Sequence, residues 1–232
     1  LSAQRGSGPE FVATLRATAS LAQRGGEGRA ALAAKLAHLP ALARKRLLDL
    51  AASDGEELVN RRCAVSLLGL LGGEDAARVA VAALGDDRVL EEAEVAVCDL
   101  GEAATAVLAR AVQASEGSER AAAVELLGRV AADLDERARA EAVRVIRGSL
   151  QDESLEVVRA ALDVLGDMGD ASCLHAVGAL LSEGTDPLVH RPGEGALAAL
   201  AQRWPREALA VIEAPGTDPY PALVMVSALG QL

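Results

Sequence analysis

One short phrase recurs seven times along this chain, and it constrains the fold more than anything else in the sequence. It reads SLLGLLG at Ser66–Gly72, AVCDLG at Ala96–Gly101, ELLGRVA at Glu125–Ala131 and DVLGDMGD at Asp163–Asp170. Fainter copies are KLAHLP at Lys35–Pro40, ALAALA at Ala196–Ala201 and SALGQL at Ser227–Leu232. Aligned on Leu36, Leu68, Val97, Leu127, Leu165, Leu197 and Leu229, successive copies stand 32, 29, 30, 38, 32 and 32 residues apart. A unit of about thirty residues holds two short helices and two turns, and such a pair cannot bury its apolar face alone. Neighbouring pairs must stack, so the repeat predicts a solenoid. Each copy reads as the apolar end of a helix.

Composition agrees. Of 232 residues, 51% are apolar, yet there is one Phe, one Tyr and one Trp. The apolar content is Ala, Leu and Val, and the first two favour helix strongly. The aromatic, β-branched, period-two runs of a sandwich or barrel are absent. The sequence predicts an all-α fold.

Turn signals divide the chain into pairs: about 10–23 and 29–39, 41–52 and 56–71, 75–84 and 88–100, 103–114 and 118–131, 135–149 and 153–166, 171–182 and 187–203, 205–213 and 219–230. Asp186-Pro187 and Asp218-Pro219 are helix starts with a mechanism. The carboxylate accepts orphan amides and proline pre-sets φ. Residues 1–9 read as a flexible leader, and 10–232 as one repeat domain. The chain begins without Met, which reads as a processed product or a piece of a longer protein.

The net charge is −11, unevenly spread. An acidic bulk argues against wrapping nucleic acid, whose phosphates need a basic track. No run of about 18 residues is free of charges and turn formers, so no membrane span is expected. The three cysteines, Cys63, Cys98 and Cys173, sit in apolar helical segments without the spacing of a disulfide framework, which points to the cytoplasm.

The second helices resemble HEAT repeats in their short bacterial form, which tend to read Asp-Pro-x-Val-Arg-x-Ala-Ala-x-x-Leu-Gly. The matching segments are DPLVHRPGEGALAAL at Asp186–Leu200, DESLEVVRAALDVLG at Asp152–Gly166 and GDDRVLEEAEVAVCDLG at Gly85–Gly101. The family's Arg position is kept in part, by Arg61 or Arg62, Arg120, Arg159 and His190-Arg191. Tetratricopeptide repeats would need more aromatics, and ankyrin repeats a Thr-Pro-Leu-His turn. The resemblance implies a right-handed α-solenoid of about seven helix pairs whose second helices line a concave face. It implies a non-enzymatic scaffold or regulatory adaptor that binds a protein or peptide there. Some HEAT-type proteins are enzymes. The repeated His-Glu pairs of the deoxyhypusine hydroxylases are absent, since none of His38, His175 and His190 precedes a Glu. The aromatic, basic groove of the alkylpurine DNA glycosylases is absent as well. A lyase-like enzyme, related to the phycobilin lyases, is the alternative reading, with nucleic-acid binding behind it. No catalytic, cofactor or metal site is expected. Cys173 and His175 are two apart, which puts them on different helix faces.

Three stretches depart from the repeat. Asp86–Glu102 carries seven acids and one base, with Glu91, Glu92 and Glu94 on one helix and no basic residue one turn on. It reads as a docking patch for a partner with a basic surface. His190-Arg191-Pro192-Gly193-Glu194-Gly195 should interrupt the sixth second helix, because an interior proline removes a hydrogen bond and kinks the helix. Such a break would reshape the binding face, which makes His190 and Arg191 candidates. The last helix, Tyr220–Leu232, has no charge, whereas terminal repeats normally present a polar face. It is a candidate contact surface, with Tyr220 and the nearby Trp204 as its rings.

Overall fold

A computed structural model describes residues 9–23, 27–182, 184 and 186–231. The flexible leader read at residues 1–9 lies outside these, apart from Pro9, which opens the first helix. Fourteen α-helices and one 3-10 turn are found among the described residues, and no strand. They are α1 Pro9–Gln23, α2 Glu27–Ala37, α3 Ala41–Ala52, α4 Leu58–Leu71, α5 Glu74–Ala83, α6 Leu90–Leu100, α7 Glu102–Ala114, α8 Gly117–Ala132, α9 Glu136–Gly148, α10 Leu155–Met168, α11 Ser172–Ser182, α12 Pro187–Arg203, α13 Pro205–Glu213 and α14 Pro219–Leu229. The 3-10 turn, Ser149–Gln151, follows α9. The all-α expectation holds, and the expected helices are present with boundaries shifted by a few residues.

The chain divides into two compact units, Leu1–Val107 and Leu108–Leu232, with the division inside α7. In the first, α4 is the hub: α1, α2, α3, α5 and α6 all pack on it. Its buried side chains, Ala64, Val65, Leu67, Leu68 and Leu71, explain why a helix of modest polarity contrast can be central. In the second, α8, α10, α12 and α14 lie side by side, each packed on the next. Beneath them run α9, the 3-10 turn, α11 and α13. The largest wholly buried side chains there are Leu108, Leu127, Ile146, Leu162, Leu165, Leu174, Leu197, Leu200 and Met225.

Three copies of the repeated Leu-Gly have a different meaning from the one their sequence suggests, whereas Gly101 and Gly230 do close α6 and α14. Helix α4 continues past Gly69, α8 past Gly128 and α10 past Gly166. These glycines are points of contact between successive second helices. A Cβ at Gly69 would stand 2.6 Å from Asp99 Cβ on α6. One at Gly128 would overlap Val164 on α10, and one at Gly166 would stand 3.2 Å from Ala196 Cα on α12. The end of α4 is made instead by Gly72, whose φ of 70° a side chain would resist.

An arginine, buried at Arg61 and part-buried at Arg120, ties neighbouring pairs in each unit. Arg61, 5% exposed, donates Nε–H to Ala51 O at the end of its own first helix (3.1 Å). Its Nη1 pairs with Asp54 (2.9 Å) and with Asp86 in the next pair's turn (2.5 Å). Arg120 repeats the design, donating to Ser115 O (2.6 Å) and pairing with Asp152. Arg88 hydrogen-bonds to Asp86, and with Arg61 it holds that carboxyl far below the usual carboxylate range. Burial pushes Asp152 up, but the Ser154 N–H and the Arg120 guanidinium outweigh it, and the group lies below its ordinary value. A charge taken out of water needs such partners.

Proline and aspartate act at the helix starts as the sequence implies. Asp186 accepts from Leu188 N–H (2.8 Å), Asp218 from Tyr220 N–H (2.8 Å) and Asp135 from Ala138 N–H (2.9 Å). The interruption expected around Pro192 does not occur: α12 runs unbroken from Pro187 to Arg203. Helix α12 is held by α10 and α14 at its sides and by α11 and α13 beneath. It buries Val189, Ala196, Leu197, Leu200 and Ala201. Burial of this extent offsets an interior proline, which costs about 3 kcal/mol. Gly193 has a packing reason as well, since a Cβ there would stand 2.9 Å from Leu181 Cδ2.

Candidate functional site

The first unit carries a groove of about 370 Å³ on the side of its second helices. Ala22 of α1 and Arg29 of α2 line one side, Arg62 and Ser66 of α4 the floor, and Glu91, Glu92 and Val95 of α6 the other. One of the three acids is drawn out of the open patch that their spacing predicts. Glu92 is folded inward, its side chain 14% exposed, and both Nε and Nη2 of Arg62 approach its Oε1 (2.6 and 2.5 Å). The relief missing on α6 itself thus comes from α4, one helix away. Glu92 Oε2 is buried with no hydrogen-bond partner among the described residues. Glu91 is exposed and Glu94 half-exposed. Arg29 pairs with Asp99 one turn further along the groove. Cys63 stands beside this network, and burial raises its thiol pKa. A larger hollow of about 720 Å³ lies between α3 and α5, but its charged groups are matched: Arg61 with Asp54, and Arg78 with Asp75.

In the second unit, α12 and α14 bring together His190 and Tyr220, which were expected, and Glu194, which was not. The rings of His190 and Tyr220 are 5.1 Å apart, tilted by 40°. The Tyr220 hydroxyl donates to Glu194 Oε1, which raises the phenol pKa. Glu194 lies one turn after His190, so helical spacing alone could have joined them. Arg191 is exposed. Trp204 is half-buried and tied to the end of α10. Its Nε1–H donates to Gly169 O (3.1 Å), while Arg203 donates to Gly166 O (3.0 Å) and Gly169 O (3.4 Å). Together they fasten the end of α12 to the end of α10.

The packing also defines one outward face. Helix α10 is flanked by α8 and α12 with α9 beneath, and α12 by α10 and α14 with α11 and α13 beneath. Each therefore has a single free side, and their exposed stripes share a surface. On α10 the stripe is Glu156, Arg159, Asp163 and Asp167. On α12 it is Leu188, Arg191 and Gly195, flanked by half-exposed Ala198 and Ala199. On α14 it includes Tyr220 and Leu223. Across three helices the surface passes from a mostly acidic row that includes Arg159, through Leu188, Arg191 and small residues, to an apolar row. Sequence reasoning missed it because the three rows are some thirty residues apart.

Among the described residues, no helix is long and apolar enough to cross a membrane, and no three His, Cys, Asp or Glu side chains converge to hold a metal ion. No protein-family model matches the chain, and no curated protein matches it at a significant level.

Proposed function

We propose that the fourteen helices are HEAT-like pairs of a right-handed α-solenoid, and that the chain is a protein–protein interaction scaffold or regulatory adaptor without catalysis of its own. Within each unit, second helix packs on second helix, and the Leu-Gly close approach recurs from α4 to α6, α8 to α10 and α10 to α12. The arginine tie recurs at Arg61 and Arg120. These regularities support a stacked repeat, whose use is a long surface rather than a pocket.

The observation that carries the functional reading is the outward face of α10, α12 and α14. It is laid over the core of the second unit, yet leaves Leu188 69% and Leu223 65% exposed on the same face as the carboxylates of α10. A surface kept apolar and charged in adjoining rows suits a partner protein with a basic character. The three free cysteines fit a reducing compartment, the cytoplasm.

A photo-crosslinking side chain placed at Arg159 or Arg191, on the outward face, should capture a discrete partner from the source cell. The same group at Arg144 or Arg206, on the opposite layer, should not. Identical products from both layers, or none from either, would refute the scaffold reading.

A further inference from the structure

We propose that the hollow between the ends of α7 and α9 binds a small organic carboxylate, which stands to Arg120 as Asp54 stands to Arg61. Each unit carries a copy of this hollow. Asp75, Arg78, Val79, Ala82, Ala83 and Asp86 of the first align, each 66 residues further on, with Glu141, Arg144, Val145, Gly148, Ser149 and Asp152 of the second. Arg61 and Arg120 each donate to a carbonyl at the close of the preceding helix and reach the acid of the next pair's turn. The pair at the mouth is common to both, Arg78 with Asp75 and Arg144 with Glu141. The arginines differ in their carboxylates. Arg61 is met by two, Asp54 and Asp86. Among the described residues Arg120 is met by Asp152 alone, and its Nη2 makes no bond.

The floors differ as well. Ala83 is 3% exposed, while its counterpart Ser149 is 7% exposed and its hydroxyl has no hydrogen-bond partner among the described residues. A buried hydroxyl left unbonded destabilises a fold, and alanine at the matching place shows that the packing needs none. Gly148 replaces Ala82 with an ordinary helical φ of −60°, and a Cβ there would meet no atom within 4 Å, so neither backbone nor packing calls for a glycine. The second hollow has a volume of about 340 Å³. Both oxygens of Asp152 are taken, Oδ1 by the Ser154 N–H and Oδ2 by Arg120. The bonding capacity left at its centre is the Arg120 guanidinium and the Ser149 hydroxyl, which suits an oxyanion. Uncharged Gln113 lines the second hollow, where Asp54 lines the first, and Glu116 of the α7–α8 turn is exposed and outside the lining. Buried Val112 and half-buried Val145 make the remaining wall apolar. The oxyanion is therefore the head of a short aliphatic acid.

The test titrates sodium butyrate into the whole isotope-labelled chain and follows backbone amide and arginine Nε–H shifts by nuclear magnetic resonance. Saturable shifts are expected at Ser149 and Arg120 and none at Ala83 and Arg61, with a Kd in about the millimolar range for a ligand this small. Ser149→Ala, which restores the first hollow's residue, should weaken binding about fivefold and leave thermal stability unchanged or raised. Gln113→Glu, which supplies a carboxylate from the chain itself, should weaken it about tenfold. Butanol, which has the chain without the charge, should not bind, and inorganic phosphate should bind more weakly than butyrate. Absence of saturable shifts up to about 100 mM butyrate overturns the site. So do equal shifts in the two hollows, or unchanged affinity in the Ser149→Ala or Gln113→Glu protein. Butanol or phosphate binding as tightly as butyrate overturns the carboxylate as its ligand. None of these results depends on the crosslinks from Arg159 and Arg191, on which the scaffold reading rests.

Discussion

Replacing Gly128 with alanine separates two opposed effects that the structure allows to be measured independently. In an isolated helix the change is favourable by about 0.5–1 kcal/mol, because glycine loses more backbone freedom on folding. In α8 the new methyl has no place to go. It would overlap Val164 Cγ1, and would stand 2.9 Å from Cγ2 and 3.2 Å from Cβ. Val164 is β-branched, and stiff at χ1, so it cannot swing aside as a longer chain would. Overpacking of this kind costs about 1–3 kcal/mol. Gly195→Ala is the control, since it carries the same propensity gain into open space. The difference between the two variants isolates the contact and should be about 1–3 kcal/mol in favour of Gly195→Ala. With a urea slope of about 1–3 kcal/mol per molar, that is a midpoint difference on the order of 1 M, readable by far-UV circular dichroism. Adding Val164→Ala to Gly128→Ala should recover much of the loss, giving a coupling of about 1 kcal/mol or more. If Gly128→Ala raises the midpoint as much as Gly195→Ala does, the close-approach account of the Leu-Gly repeat is wrong.

Two further outcomes follow from the ionisable groups. Asp152 titrates below its ordinary value in the folded chain, so its contribution to stability is present above about pH 4 and is lost as pH falls through the lower folded value. Acid titration of unfolding should therefore show a steeper fall below pH 4 for the native protein than for Asp152→Asn, and identical profiles would remove Asp152 from the account. Cys173 is wholly buried, and burial, with the Asp170 charge beside it, pushes its thiol up to about 11. It should resist iodoacetamide at pH 8 until the protein unfolds, while Cys98, which is exposed, reacts first; rapid native labelling at Cys173, located by peptide mapping, would contradict the packing of α11.

The positions of the helices were legible because their signals are local. Asp-Pro at 186–187 and 218–219, and the apolar spacing within α8 and α10, act over a few residues and need no partner to be read. The role of Gly128 was not legible, because a glycine that ends a helix and one that admits a neighbouring helix look alike until the neighbour is in place. Gly72 does the first and Gly69, three residues earlier, does the second. Pro192 misled for the same reason: its cost is local, but the burial that outweighs it comes from α10, α11 and α14. The candidate site divides likewise. The acids at Glu91 and Glu92 were visible as a cluster, but Arg62, which folds one of them inward, lies in a different repeat. His190 and Tyr220 were singled out separately for different reasons, and only the side-by-side packing of α12 and α14 makes them neighbours.

The arginine ties have a consequence for how the molecule comes apart. Arg61 grips the end of its own first helix and the turn of the pair that follows, and Arg120 does the same in its unit. Pairs α3–α4 and α5–α6 share the Arg61–Asp86 tie, and α7–α8 and α9–α10 the Arg120–Asp152 tie, so opening either member strands a charge on the other. The two pairs of each tie should therefore open together. Opening is favoured first in pairs that carry no such tie, and slow hydrogen exchange should concentrate in the tied helices.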